Sequence, residues 1–86
     1  VTYSVEFTAA AARQVRKLDR PVRVRLVTAI GGLAEEPRPA GATKLVGEQT
    51  ACCIRVGDHR VVYDVLDELL VVTVFRTRHR REVHDR

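Results

Sequence analysis

The 86-residue sequence has no apolar run of 18 residues, so no segment reads as a membrane-spanning helix. Its opening also lacks the basic-then-apolar pattern of a secretory signal, and the expected location is the cytoplasm. Cysteine is limited to Cys52 and Cys53, which are adjacent. Neighbouring residues of a strand point to opposite faces, which argues against a disulfide between them and against a stapled secreted scaffold. Two adjacent thiols with no convincing partner set also fall short of the four ligands of a structural zinc site, so no metal and no cofactor is expected. Glycine (5) and proline (3) are scarce, and Gly31-Gly32 has no phosphate-loop context. What remains, 45% hydrophobic and 30% charged residues, is a folded composition. The length suits one small core and not two, so residues 1–86 are expected to form a single domain.

Lysine is scarce as well: the 15 basic residues are 13 Arg and 2 Lys, and with 11 acidic residues the net charge is +4. Arginine's planar fork suits bidentate contact with phosphate or carboxylate better than it suits simple solubility. The charge is also blocked. Residues 9–25 carry Arg13, Arg16, Lys17, Arg20, Arg23 and Arg25 against Asp19, a local +5. Residues 26–75 sum to −3, and residues 76–86 return to +3 through Arg76, Arg78, Arg80, Arg81 and Arg86 against Glu82 and Asp85. A solvated face of mixed sign is the plain alternative. Two basic blocks around an acidic middle point instead to a polyanion, an acidic protein partner, or both.

Residues 2–7 alternate and predict a strand with Tyr3, Val5 and Phe7 on one face. Thr8 reads as the N-cap of a helix whose apolar stripe is Ala11, Val15 and Leu18, leaving Arg13, Arg16 and Lys17 toward water or a partner. Asp19-Arg20-Pro21 ends that helix and opens a second. The next stretch is ambiguous: Val22, Val24 and Leu26 alternate like a strand, whereas Val22, Leu26, Ile30 and Leu33 make a helical stripe. The Asp-x-Pro opening and the reach to Leu33 favour the helix. Residues 35–42 hold two prolines and a glycine and predict a loop, and Lys44 to Val46 a short strand. Three runs follow at 51–56, 60–66 and 69–75, joined by hairpins at Gly57-Asp58-His59 and around Asp67-Glu68. The expected class is α+β, two N-terminal helices packed on a mainly antiparallel sheet.

The segments Arg55-Val56-Gly57-Asp58-His59-Arg60-Val61-Val62-Tyr63 and His79-Arg80-Arg81-Glu82-Val83-His84 carry a resemblance. With the opening Tyr3-to-Ala11 stretch and Pro37-to-Leu45, they look like the RelE/ParE superfamily of type II toxin–antitoxin toxins, and are closer to its RelE branch. The likeness spans essentially the whole chain. It implies a strongly twisted sheet with two helices packed on one face and a concave surface that gathers basic side chains from the central strands and the C-terminal segment. It also implies a metal-independent endoribonuclease that cleaves mRNA in the ribosomal A site and is inhibited by a cognate antitoxin. Carried over by motif, Arg55, Arg60 and Arg80 match the basic residues around the scissile phosphate, with Arg81 beside Arg80, and Lys44 is added as a phosphate contact. The family's reactive position near the end is His84. The sequence departs at Cys52, where an aromatic is usual, at Cys53, often Arg or Lys, and at His59 and His84, where tyrosine is usual.

Metal-free RNA cleavage needs a base for the 2′-OH proton, positive charge on the crowded phosphorane, and an acid for the leaving 5′-oxygen. Arg60 and Arg80 suit the charge role, and His84 suits acid or base because a histidine titrates at about 6.5. The exposed cations Arg13, Arg16, Lys17 and Arg20 suit an acidic antitoxin segment, through which contact with operator DNA would be indirect. The alternatives are a gyrase poison of the ParE type and a toxin-like subunit acting mainly by binding antitoxin.

Overall fold

The computed structural model describes residues 2–45 and 51–79. The first strand, β1 (Ser4–Phe7), runs into Thr8, whose extended backbone breaks the strand and whose hydroxyl caps the helix behind it. The Thr8 Oγ1 accepts a hydrogen bond from the Ala11 N–H at 3.1 Å and donates to the Phe75 carbonyl at 3.0 Å, so one side chain starts α1 (Ala9–Arg16) and fixes it to the far end of the chain. Ala11 and Val15 are buried and Leu18 packs beside the core, as the stripe predicts.

The second helix, α2, spans Arg20–Gly32 with Pro21 in its first turn. Asp19 holds the N-cap position but makes no side-chain capping bond. The two helices are joined by Arg23, whose guanidinium donates to the Leu18 carbonyl at 3.0 Å. Burial resolves the ambiguity over residues 22–27: Leu26, Ile30 and Leu33 are inside, whereas Val24 (52% exposed) and Val27 (47%) face outward. A strand would have put Val24 on the same side as Leu26.

The remaining elements are β2 (Thr43–Lys44), β3 (Ala51–Val56), β4 (His59–Leu66) and β5 (Val71–His79). They form one sheet in the order β1-β5-β4-β3-β2, antiparallel except for β1, which lies parallel to β5. The fold is therefore the expected α+β arrangement on a mainly antiparallel sheet. Leu45 extends the β2 pairing by donating to Ala51, while Val46 lies outside the described residues.

Two boundaries differ from the sequence reading. The first hairpin turns on Gly57-Asp58 alone, and His59 already pairs with Val56. Gly57 sits at φ +61, a left-handed conformation that favours glycine, and a Cβ there would lie 3.0 Å from the movable guanidinium end of Arg25. The last strand runs over 71–79 rather than 69–75. Leu69 and Leu70 look like strand residues because they continue an apolar run, but Leu70 adopts φ +54 and the turn closes through bonds from Leu69 to Leu66 and from Leu70 to Asp67. At the other end, Arg76 to His79 stay in the ladder against Val62 to His59, and the Thr77 N–H donates to the Gln14 side-chain oxygen at 2.8 Å. A bulge near Val62 and Tyr63 shifts the register between these two halves of β5.

One face of the sheet carries the core: Cys52 and Ile54 of β3, Val61, Tyr63 and Val65 of β4, and Val72 and Val74 of β5 cluster with Ala11, Leu26, Ile30 and Leu33. Tyr63 is wholly buried, and its hydroxyl donates to the Pro37 carbonyl at 2.7 Å, anchoring the loop after α2. Burial pushes its pKa up to about 12. The same loop is held from outside by Arg38, which donates to Asp67 at 2.9 and 3.2 Å, while the Tyr3 hydroxyl donates to Asp67 at 2.6 Å. The Arg38 bonds first, and the Tyr3 bond second, hold the Asp67 carboxyl down to about 2. Among the described residues, no helix is long and apolar enough to cross a membrane.

Candidate nucleic-acid interface

The core side chains occupy every second position of β3 and β4, so the positions between them point to the face without helices. Cross-strand pairing then sets two neighbouring rows on that face. Arg55 of β3 lies opposite Arg60 of β4, which lies opposite Arg78 of β5. In the next row Cys53 lies opposite Val62, which lies opposite Arg76. Four guanidinium groups from three strands thus share one face. Like charges directly opposite each other in a sheet repel. Among the described residues, no carboxylate forms an ion pair with any of the four; the ion pair found joins Arg38 and Asp67.

Cys53 and Val62 are buried although, among the described residues, no helix covers this side; arginines flank them in register. Burial raises the Cys53 thiol pKa, against the opposing pull of Arg60, Arg55 and Arg76. The thiol therefore stays protonated near neutral pH and is no nucleophile. The Nε of Arg76 is buried and has no hydrogen-bond partner.

Of the residues selected from sequence, Arg55 and Arg60 come together in this row. Lys44 does not join them: it is exposed on β2 opposite Cys52, hence on the side that bears the helices. Arg80, Arg81 and His84 lie outside the described residues. Arg13, Arg16, Lys17 and Arg20 are all exposed, along α1 and at the start of α2. Arg23 and Arg38 have structural contacts instead, and Arg25 reaches toward the Gly57 turn. His59 and His79 meet edge-to-face at 5.1 Å, beside Val22 and Leu26 on the helix-bearing side, so His59 faces away from its neighbour Arg60.

Arg76 and Arg78 were not singled out as site residues from sequence. The signal was there in the period-two pattern Arg76-Thr77-Arg78, but ending the last strand at residue 75 removed it from the sheet. Among the described residues, no three His, Cys, Asp or Glu side chains gather to hold a metal. A separate apolar groove of about 480 Å³ opens between the end of α2 and β3, lined by Ala29, Leu33, Pro39 and Ile54, with Arg55 at its rim. The arginine face itself has the chemistry of an anion site: permanently charged forks, aimed one way from rigid strands, able to clamp phosphate oxygens and to stabilise charge that develops on them.

Residues 5–84 match the family described as the ParE toxin of the type II toxin–antitoxin system, parDE. Solved structures of RelE toxins are similar over most of the chain. A chain of the RelBE2 toxin–antitoxin complex from Mycobacterium tuberculosis is 32% identical, with 92% of this chain and 99% of that one covered and a TM-score of 0.80. The isolated E. coli RelE toxin is 32% identical over 90% of this chain and 83% of that one, with a TM-score of 0.79. A chain of the archaeal RelE–RelB complex from Pyrococcus horikoshii is 25% identical over 93% and 97%, with a TM-score of 0.82. No curated protein sequence matches.

Proposed function

Because the chain belongs to the RelE/ParE superfamily of type II toxin–antitoxin toxins, in its RelE-like branch, we propose that it is a ribosome-dependent mRNA endonuclease kept silent by a cognate antitoxin. The observation that carries this reading is the arginine row of Arg55, Arg60 and Arg78 on the face opposite the helices. A messenger strand laid across that face meets fixed positive charge at its phosphates, and cleavage needs that charge most when the 2′-oxygen has attacked and the phosphorus is five-coordinate. Arg60 stabilises that state, and Arg55 positions the backbone.

Arg80 and His84, with Arg81 beside them, complete the set in this reading. A base takes the 2′-OH proton, the P–O5′ bond breaks as the 2′-oxygen bonds to phosphorus, and an acid returns a proton to the departing 5′-oxygen. His84 serves one of these two proton transfers. Because the thiol of Cys53 is protonated and buried, it takes neither role. The reaction requires no metal or cofactor. Lys44, on the side that bears the helices, is not one of this set.

The exposed cations Arg13, Arg16, Lys17 and Arg20 give an acidic antitoxin segment a surface on the helices, away from the arginine row. Operator DNA is then reached only through the antitoxin. The test is primer-extension mapping of a translated mRNA in a reconstituted ribosome system, comparing wild type with Arg60→Ala and His84→Ala. Cuts at paused codons that vanish with Arg60→Ala support the nuclease and its site, and further loss with His84→Ala supports the proton-transfer role. Intact mRNA on paused ribosomes with folded wild-type toxin rejects it. The match to the ParE family favours a second reading, a gyrase poison, for which inhibition of DNA supercoiling without mRNA cuts is the expected result.

A further inference from the structure

Resting on the reading of the open sheet face as an RNA site, we infer that Arg76 is a further phosphate-binding residue, holding a backbone phosphate adjacent to the one clamped by Arg55, Arg60 and Arg78. Three observations place it there. Arg76 shares the face and lies one cross-strand row away from that trio, opposite Val62 and in line with Cys53. Two residues along a strand separate the rows by about 6.6 Å, on the order of one nucleotide step. Its row holds no second cation, because Cys53 and Val62 are uncharged, so a phosphate lying over that row has Arg76 as its cationic partner there.

The third observation concerns the guanidinium itself. The Arg76 Nε is buried with no hydrogen-bond partner, and among the described residues no carboxylate pairs with the side chain. An unpaired buried donor is a cost that the folded chain carries until something accepts from it. When the guanidinium turns its Nε edge to a phosphate, that donor is satisfied, and the Nε–Nη edge offers two parallel N–H bonds to two phosphate oxygens. Pairing opposite Val62 and the bulge beside it fix where the stem leaves β5. Arg76 acts on the position of the strand rather than on the reacting atoms, and is a positioning residue.

Binding of a 2′-O-methylated single-stranded RNA, which cannot be cut, tests this with the full-length toxin free of antitoxin. Arg76→Gln keeps the stem and a donor but removes the charge, and Arg76→Lys keeps the charge but removes the fork. The slope of log K against log salt is expected to fall by about 0.7 in Arg76→Gln, the loss of one phosphate contact on a single strand, and to return in Arg76→Lys. Ribosome-dependent cleavage is expected to fall about 10-fold or more in both variants, because positioning depends on the fork. An unchanged slope in folded Arg76→Gln overturns the inference, as does a wild type that does not bind the RNA. Weakened binding of an acidic antitoxin peptide with RNA binding intact overturns it in favour of a protein contact. A wild type that binds RNA with the full slope but does not cut mRNA rejects the nuclease reading and leaves the Arg76 contact measured.

Discussion

The two faces of the sheet are built from the same three strands, yet one is sealed and the other charged. On β3 the step from Ile54 to Arg55 crosses from the core to the arginine row, and on β4 the step from Arg60 to Val61 crosses back. The helix-bearing face gains by removing apolar surface from water, and its side chains are interchangeable to the extent that their volumes are. The open face gains nothing from gathering like charges, so its arrangement is a cost to folding. Core and charge are therefore separated by a single residue along the chain.

The sharpest way to break this comparison is to truncate neighbours on opposite faces. Ile54→Ala is expected to cost about 2–5 kcal/mol of stability, measured by urea unfolding. Arg60→Ala is expected to lose about 100-fold in mRNA cleavage, on the order of 2.7 kcal/mol in the barrier, while stability moves by no more than about 0.5 kcal/mol. If both substitutions unfold the protein, the faces are not independent. Tyr63→Phe keeps the buried ring but loses the bond to the Pro37 carbonyl, for about 1 kcal/mol by the same unfolding measurement.

Two ionisations sharpen the picture at the pH extremes. The Asp67 carboxyl, held down to about 2 from 3.8, contributes stability that is complete above about pH 4 and is lost as the pH falls toward 2. Thermal unfolding as a function of pH should show that decline in wild type and not in Asp67→Asn. Tyr63, raised from 10.0 to about 12, contributes stability that is complete below pH 10.0 and lost on rising through about 12. That loss is absent in Tyr63→Phe. The smallest effect is expected on the outer side of α2, where Val24→Lys should change stability by no more than about 0.5 kcal/mol, since Val24 is 52% exposed.

Much of this was legible in the sequence because period and caps speak locally. Thr8 announced its helix, and the stripe from Val22 to Leu33 outweighed the competing alternation. The hairpin arginines Arg55 and Arg60 stood out by motif and lie opposite each other. What was not legible depended on partners distant in the chain. Leu69 and Leu70 are good strand formers placed in a turn because Asp67 and Leu66 close it and Ser4 bonds to Leu70. Arg76 and Arg78 belong to the sheet because β4 is long enough to pair with them and Gln14 holds Thr77 between them. The charge of Lys44 is plain in the sequence, but only its pairing with Cys52 shows on which side of the sheet it stands.

The parallel pairing of β1 with β5 sets an order of events during synthesis. Ser4 to Phe7 leave the ribosome well before their strand partners, Val71 to Val74, have been made. Thr8 waits for Phe75, and Gln14 for Thr77. The hairpin of β3 and β4 forms from residues close in the chain, whereas the two ends of the molecule join only after a long loop has closed, which is the slow kind of contact. The arginine row obeys the same timetable, because Arg78 and Arg76 arrive with β5. The charged face is thus complete only after segments far apart in the chain have met, whereas the hairpin that carries Arg55 and Arg60 needs no such wait.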